Sequence, residues 1–221
     1  MNEKRTMASR LEERVRRDII NGKLKPGSKM RLKALSEHYD AGVIPLREAL
    51  SRLATTGFVA AVDQKGFSVR RVSAPELRDI TLTRLHIECK ALELSILNAD
   101  IDWESRLIAA HHRMERHDMR DPQSQQLDPA WEEAHEAFHS ALLANCGSPW
   151  LLHFVDTLCD QTLRYRALAV ESPVSQGRDV ALEHRQLLQA ALDRNIALAT
   201  SLLTAHYVKT MEIVLENEAL G

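Results

Sequence analysis

The chain has few of the features that mark an exported or membrane-bound protein. Only three of its 221 residues are cysteines. Cys89, Cys146 and Cys159 lie inside apolar helical patterns and form no Cys-x-x-Cys pair, so buried free thiols in a reducing cytoplasm are expected. No run of 18 apolar residues occurs, which leaves no candidate for a membrane-spanning helix. Met1 to Arg17 are charged and lack the apolar centre of a signal peptide. There is no internal repeat and no low-complexity segment. A soluble, cytoplasmic protein with no membrane partner is the expectation.

What is present is unevenly distributed. The formal net charge is −2, but residues 1–72 carry 16 Lys and Arg against 8 Asp and Glu, whereas the remainder carries 13 against 23. The length suits two domains, and the charge divides them: a basic front of 1–72 and an acidic back of 73–221. A basic half attracts polyanions, and an acidic half keeps the rest of the chain off a duplex.

The front half is organised around Gly42-Val43-Ile44-Pro45-Leu46-Arg47-Glu48-Ala49-Leu50-Ser51-Arg52-Leu53. Gly and Pro mark a helix start near Ile44 or Pro45. Leu46, Ala49, Leu50 and Leu53 then form one apolar face, while Arg47, Ser51, Arg52 and Thr55 point away from it. Upstream, Met30 to Tyr39 reads as a short helix with Leu32, Leu35 and Tyr39 inward and Lys33 outward. Two short helices joined through Asp40 and Gly42 predict a helix-turn-helix. Phe58 to Val62 and Phe67 to Arg70 read as strands around Asp63-Gln64-Lys65-Gly66, the hairpin of a wing. A supporting helix is expected from about Ala8 to Asn21.

These blocks, with Lys25-Pro26-Gly27 and Gly57-Phe58-Val59, resemble the DNA-binding domain of the GntR family of bacterial transcription regulators. The resemblance implies operator DNA as partner. It implies DNA contacts at Arg47, Lys33, Arg52 and the wing residues Lys65 and Gly66, although a solvated charge is the alternative for Arg52 and Lys65. One departure stands out. The family usually carries Ser-Arg-Thr before its Pro, whereas this chain has Gly42-Val43-Ile44, so one basic DNA contact is missing.

Beyond a linker at 71–75, with Ser73 as N-cap and Glu76 three positions on, the chain reads as helix throughout. Helices are expected near 74–98, 102–119, 128–146, 148–170, 175–193 and 195–218. The fold class is therefore mainly α: an N-terminal winged helix-turn-helix and a C-terminal antiparallel six-helix bundle. Arg84-Leu85-His86-Ile87-Glu88, His135-Glu136-Ala137-Phe138-His139, Glu183-His184-Arg185-Gln186-Leu187-Leu188 and His206 make this back half resemble the FCD ligand-binding domain of the FadR subfamily. Six helices point to its VanR-like group. The wing Gln64-Lys65-Gly66-Phe67 and Arg164-Tyr165-Arg166 resemble its glutarate-responsive type.

His135 and His139 are four apart and share a helix face. His184 shares a face with Leu187, Leu188 and Ala191, and His206 falls in a stripe with Leu198, Leu202 and Ile213. Four imidazoles therefore point into one interior, a donor set suited to a divalent metal ion, Zn²⁺ or Ni²⁺ first, with room for a ligand oxygen. A hydrogen-bonded core histidine is the alternative for any one of them. The FCD resemblance implies a metal held by an Asp or Asn and three His, and His135 stands at the position matching that Asp. The other six histidines match nothing and read as surface or packing residues.

The resemblance also places Arg84 at the sensor cavity, where a guanidinium can grip a carboxylate through two parallel hydrogen bonds. Its spacing equally permits a pair with Glu88. Of Arg164 and Arg166, only one is expected to face inward. The implied effector is a small carboxylate, glutarate or 2-hydroxyglutarate, releasing a homodimeric repressor from a palindromic operator. The competing class is a metal-dependent helical-bundle enzyme, suggested by the Glu-x-x-His spacings Glu132-to-His135 and Glu136-to-His139. It lacks a second such pair after residue 140 and, with Glu136 and Glu183 expected to point away, a carboxylate base.

Overall fold

Thr6 opens the first helix by accepting a hydrogen bond from the Ser9 amide at 3.2 Å, the cap that a β-configured Thr supplies to an orphan N–H. The computed structural model describes residues 6–62, 66–172, 175 and 177–216. Its elements run α1 (Met7–Ile20), β1 (Lys29–Met30), α2 (Leu32–Tyr39), α3 (Val43–Thr55), β2 (Val59–Val62), β3 (Gly66–Val69), α4 (Ala74–Leu97), α5 (Ile101–Met114), α6 (Pro129–Leu143), α7 (Pro149–Glu171), α8 (Val180–Leu192) and α9 (Ile196–Leu215). Two compact units divide between Val72 and Ser73.

In the first unit, α3 buries Leu46, Ala49, Leu50 and Leu53 against Leu11 and Val15 of α1 and Leu35 and Tyr39 of α2, all buried. Each large side chain so removed from water contributes about 1.5–3 kcal/mol. The Tyr39 hydroxyl donates to Asp18 at 2.7 Å and Arg14 donates to the Tyr39 carbonyl at 3.1 Å, tying α2 to α1. The wing is a three-stranded antiparallel sheet of order β1-β3-β2. Its third strand corrects the expectation of helix from Met30. Met30 pairs with Phe67, and Arg31 is the extended residue before α2.

The second unit is mainly helical, with six helices among the described residues. Ser73 caps α4 by accepting from the Glu76 amide at 3.2 Å. Asp100, Asp128, Ser148, Asp179 and Asn195 cap the next five helices. Helix α4 packs against α7 and α9, and α5 against α6 and α8, around a core that includes Leu92, Trp103, Phe138 and Leu203. Three expectations change here. Helix α8 begins at Val180 rather than near 175, where Asp179 caps it by accepting from the Leu182 amide at 2.8 Å. Helix α5 ends at Met114 rather than 119, because Asp121 accepts from the amides of Gln123 and Ser124 and Arg120 bridges to Leu127, making a turn. In α9 the buried stripe is Ala199, Leu203, His206, Tyr207 and Ile213, while Leu198 is exposed. Among the described residues, no helix is long and apolar enough to cross a membrane.

Candidate functional site

Three capped helices carry the four histidines. Asp128 accepts from the Ala130 and Trp131 amides at 2.7 and 2.9 Å, fixing the start of α6 and hence the face on which His135 and His139 stack. His184 comes from α8 and His206 from α9. All four are buried, and one nitrogen from each lies within 4.8 Å of the others. His139 Nε2 and His184 Nε2 stand 3.4 Å apart. Two nitrogens each about 2.1 Å from one tetrahedral ion would be about that far apart.

The hydrogen-bond partners assign tautomers. His206 Nδ1 lies 2.7 Å from Glu183 Oε2, which can only accept, so Nδ1 carries the proton and Nε2 keeps a lone pair. Tyr207 donates its hydroxyl to Glu88 Oε2 at 2.6 Å. Its oxygen therefore accepts from His139 Nδ1 at 3.2 Å, which again leaves Nε2 free. Carboxylate and phenol partners of this kind orient metal-ligating imidazoles and raise their basicity. Burial, followed by the charges of Arg166 and the neighbouring histidines, holds His135 well below the ordinary imidazole range. His139, His184 and His206 are lowered too, with burial the largest cause in each. Four buried imidazoles, two of them, His139 and His206, with Nε2 lone pairs set by their partners, could hold a divalent metal, and this donor set fits Zn²⁺ or Ni²⁺.

Around this quartet every buried guanidinium has a carboxylate. Arg84 donates to Glu88 at 2.6 Å, and Arg178 to Glu183 at 2.7 Å. Arg164 lies 3.5 Å from Glu76, and Arg166 bonds Glu132. Within these four pairs the charges balance. Arg84 is the most committed of them. It also donates to Thr162 at 3.0 Å and to Cys159 Sγ at 3.4 Å, and it lies over the Tyr207 ring at 4.2 Å. Arg84 thus takes the pairing with Glu88 that its spacing allowed.

Of Arg164 and Arg166, both largely withdrawn from water, only Arg166 lines the cavities beside the histidines. Arg164 is buried with Glu76 and Gln161. Arg166 reaches His135 Nδ1 at 3.1 Å. It also lines two small cavities of ≈40 and ≈50 Å³ that share His135, His206 and Thr210. No carboxylate lines either of them. A third cavity of ≈220 Å³, which His135, His139, Arg84 and Arg166 also line, carries the carboxylates of Glu136, Asp156 and Asp160. Glu183 was expected to point away from the cluster and instead holds His206. Burial works to raise its carboxyl, but the bonds from His206 and Arg178 outweigh it and hold Glu183 well below the usual carboxylate range. A carboxylate so stabilised is a poor base.

In the first unit, Ile44, Arg47, Glu48, Ser51 and Thr55 are exposed along α3, and Lys33 is exposed on α2. Arg47 engages no other described residue. Arg52 is already occupied, donating to Glu48 at 2.5 Å and Ser9 at 3.3 Å with Glu12 at 3.7 Å. Gly66 opens β3 at φ +84°, a conformation that strains any residue with a Cβ. Lys65 lies outside the described residues.

The comparisons agree with this architecture. The family model for bacterial regulatory proteins of the gntR family matches residues 7–69, and the FCD domain model matches 79–209. HTH-type transcriptional repressor GlaR of Escherichia coli K12 is 34% identical over 90% of this chain and 92% of its own length. HTH-type transcriptional regulator BphR of Paraburkholderia xenovorans LB400 is 37% identical over 91% and 82%. Among solved structures, E. coli McbR/YncC superposes with a TM-score of 0.74 at 19% identity, covering 96% of this chain and 98% of its own. The matched families and relatives are transcription regulators. The chain belongs to the GntR family of DNA-binding transcription regulators, in the FadR subfamily that carries an FCD domain.

Proposed function

We propose that this regulator is a homodimeric repressor released from a palindromic operator by a small dicarboxylate, glutarate or 2-hydroxyglutarate. The effector would be seated on a divalent ion held by His135, His139, His184 and His206. The observation that carries the reading is four buried imidazoles brought together, with Arg84, Arg166 and Arg178 beside them each already paired to a glutamate. A bound divalent ion supplies two uncompensated positive charges, and expansion beyond four ligands would give it positions for ligand oxygens. Buried charge is costly unless paired, and a dianion restores neutrality where a monoanion does not.

Two features support a seat for the dianion beside His135 and His206. The two cavities beside His135 and His206 lack carboxylates, and Arg166 lines both. Their present volumes suit a few water molecules, so Arg166 must turn from His135 Nδ1 to admit a larger ligand. Its guanidinium then takes the ligand's carboxylate in place of the imidazole nitrogen. Arg84 lines one of the cavities but spends its donors on Glu88, Thr162 and Cys159. Its role is to position Tyr207, and through it His139. On the DNA side, Arg47 contacts the operator from the exposed face of α3, with Lys33, Arg52, Lys65 and Gly66 as flanking contacts.

Elemental analysis of the purified protein, with gel shifts on its operator, tests this reading. Glutarate or 2-hydroxyglutarate should release DNA and raise the melting temperature, and chelation and Arg166→Ala should each weaken both effects. Protein without metal that shows no melting shift with Zn²⁺ or Ni²⁺ would remove the metal from the reading. Pentanoate acting as well as glutarate would remove the dianion.

A further inference from the structure

Among the described residues, no large apolar side chain is more exposed than Ile44, at 84%, and its neighbour Val43 is 44% exposed. Both stand in the first turn of α3, whose N-cap Gly42 makes no side-chain cap bond. Ile44 does not belong to the apolar stripe of that helix. It lies three, four and seven positions before Arg47, Glu48 and Ser51, all exposed, and opposite the buried Leu46, Ala49, Leu50 and Leu53. An isoleucine at the start of a helix, centred on its polar face in a unit of net positive charge, has no folding role there.

We propose that Ile44, flanked by Val43, reads the 5-methyl group of a thymine in the operator's major groove. The N-terminal residues of a recognition helix are those that reach base edges. There the thymine methyl is the one apolar feature that separates T·A from the other pairs. A β-branched side chain with few rotamers is well suited to that contact. This chain would thereby read one step of its operator by apolar contact. The proposal rests on α3 lying in the major groove, and its test separates the two.

The operator is first selected from random duplexes with the full-length protein, and each thymine is then replaced in turn by deoxyuridine, which lacks only the methyl. One thymine per engaged recognition helix should cost about four-fold in affinity on replacement, the worth of roughly one buried methyl. Ile44→Ala, whose side chain touches no core, should melt with the wild type and bind T and U equally at that position. Arg47→Ala should weaken both duplexes and keep the ratio between them. If no thymine is discriminated, or if Ile44→Ala discriminates as the wild type does, the Ile44 reading is overturned. Should Arg47→Ala also leave affinity unchanged, the placement of α3 falls with it.

Discussion

The two units put their polar residues in opposite places. In residues 6–72 the described core is apolar, and its one polar-tipped member, Tyr39, hands its hydroxyl to Asp18 at 2.7 Å. In residues 73–216 the buried set includes Arg84, Glu88, Glu132, Arg164 and the four histidines. A core of the first kind makes a rigid scaffold, and whatever function it has lies on its surface. A core of the second kind is expensive, since each buried charge needs a partner to be tolerated. Such an interior is justified by something that binds inside it. The basic unit belongs to a family that reads DNA, and under the proposed function the acidic unit would sense a small anion from within.

The comparison breaks most readily at Glu88. Glu88→Gln leaves the Arg84 guanidinium buried without its counter-charge and weakens the acceptor of Tyr207. A loss of about 3–5 kcal/mol is expected, roughly 10 °C in melting temperature for a chain of this size. The double variant Arg84→Met with Glu88→Gln should recover much of it, because no unpaired charge remains. If Glu88→Gln melts with the wild type, the interior pairs are not matched charges of the kind described.

Next in size is the effect of metal. At a free concentration one hundred times its dissociation constant, Zn²⁺ or Ni²⁺ should stabilise the protein by about 2.7 kcal/mol. His184→Ala should abolish the shift. His111→Ala is the control. His111 is buried in the same unit, edge-on against Phe138, but lies outside the quartet, so its variant should keep the metal shift whatever it loses in basal stability. Loss of the shift in both would mean that metal binds by a looser route than the four-histidine site.

Arg47→Ala sharpens the contrast from the other side. Its side chain is exposed and engages no described residue, so stability should change by less than about 0.5 kcal/mol. Operator affinity should fall by roughly 1–3 kcal/mol in gel shifts at fixed salt. An unchanged affinity would move the reading face away from α3.

Much of this was open to the sequence, and the exceptions share a cause. Helix α3 was readable because Leu46, Ala49, Leu50 and Leu53 repeat within one element. The same holds for His135 with His139, and for Ser73 with Glu76. What escaped depends on contacts across the chain. Met30 is a strand residue because Phe67 pairs with it, 37 positions away. Helix α5 was drawn too long because nothing near Glu115 breaks a helix, and the turn beyond it is built by Asp121. Tyr207 and Glu132 enter the site through Glu88, His139 and Arg166 on other helices. Arg178 carries no signal of its own in the sequence, where it falls inside the helix expected over 175–193; it stands before α8 and bonds Glu183, Thr210 and the His206 carbonyl. The spacing of Arg84 and Glu88 did offer both outcomes, and burial decided between them.

The smallest effect is expected at Lys33, and its value lies in its form. Lys33 is exposed on α2, the helix before the recognition helix, and in a helix-turn-helix that element crosses the phosphate backbone rather than entering the groove. A lysine is a point charge without the planar fork that suits a base edge. Lys33→Ala should therefore weaken operator and non-specific DNA by the same factor, and the slope of log affinity against log salt should fall by about one. Arg47→Ala should instead erode the ratio of operator to non-specific binding. If Lys33→Ala narrows that ratio while leaving the salt slope intact, then α2 takes part in reading bases, and the division of labour within the basic surface must be redrawn.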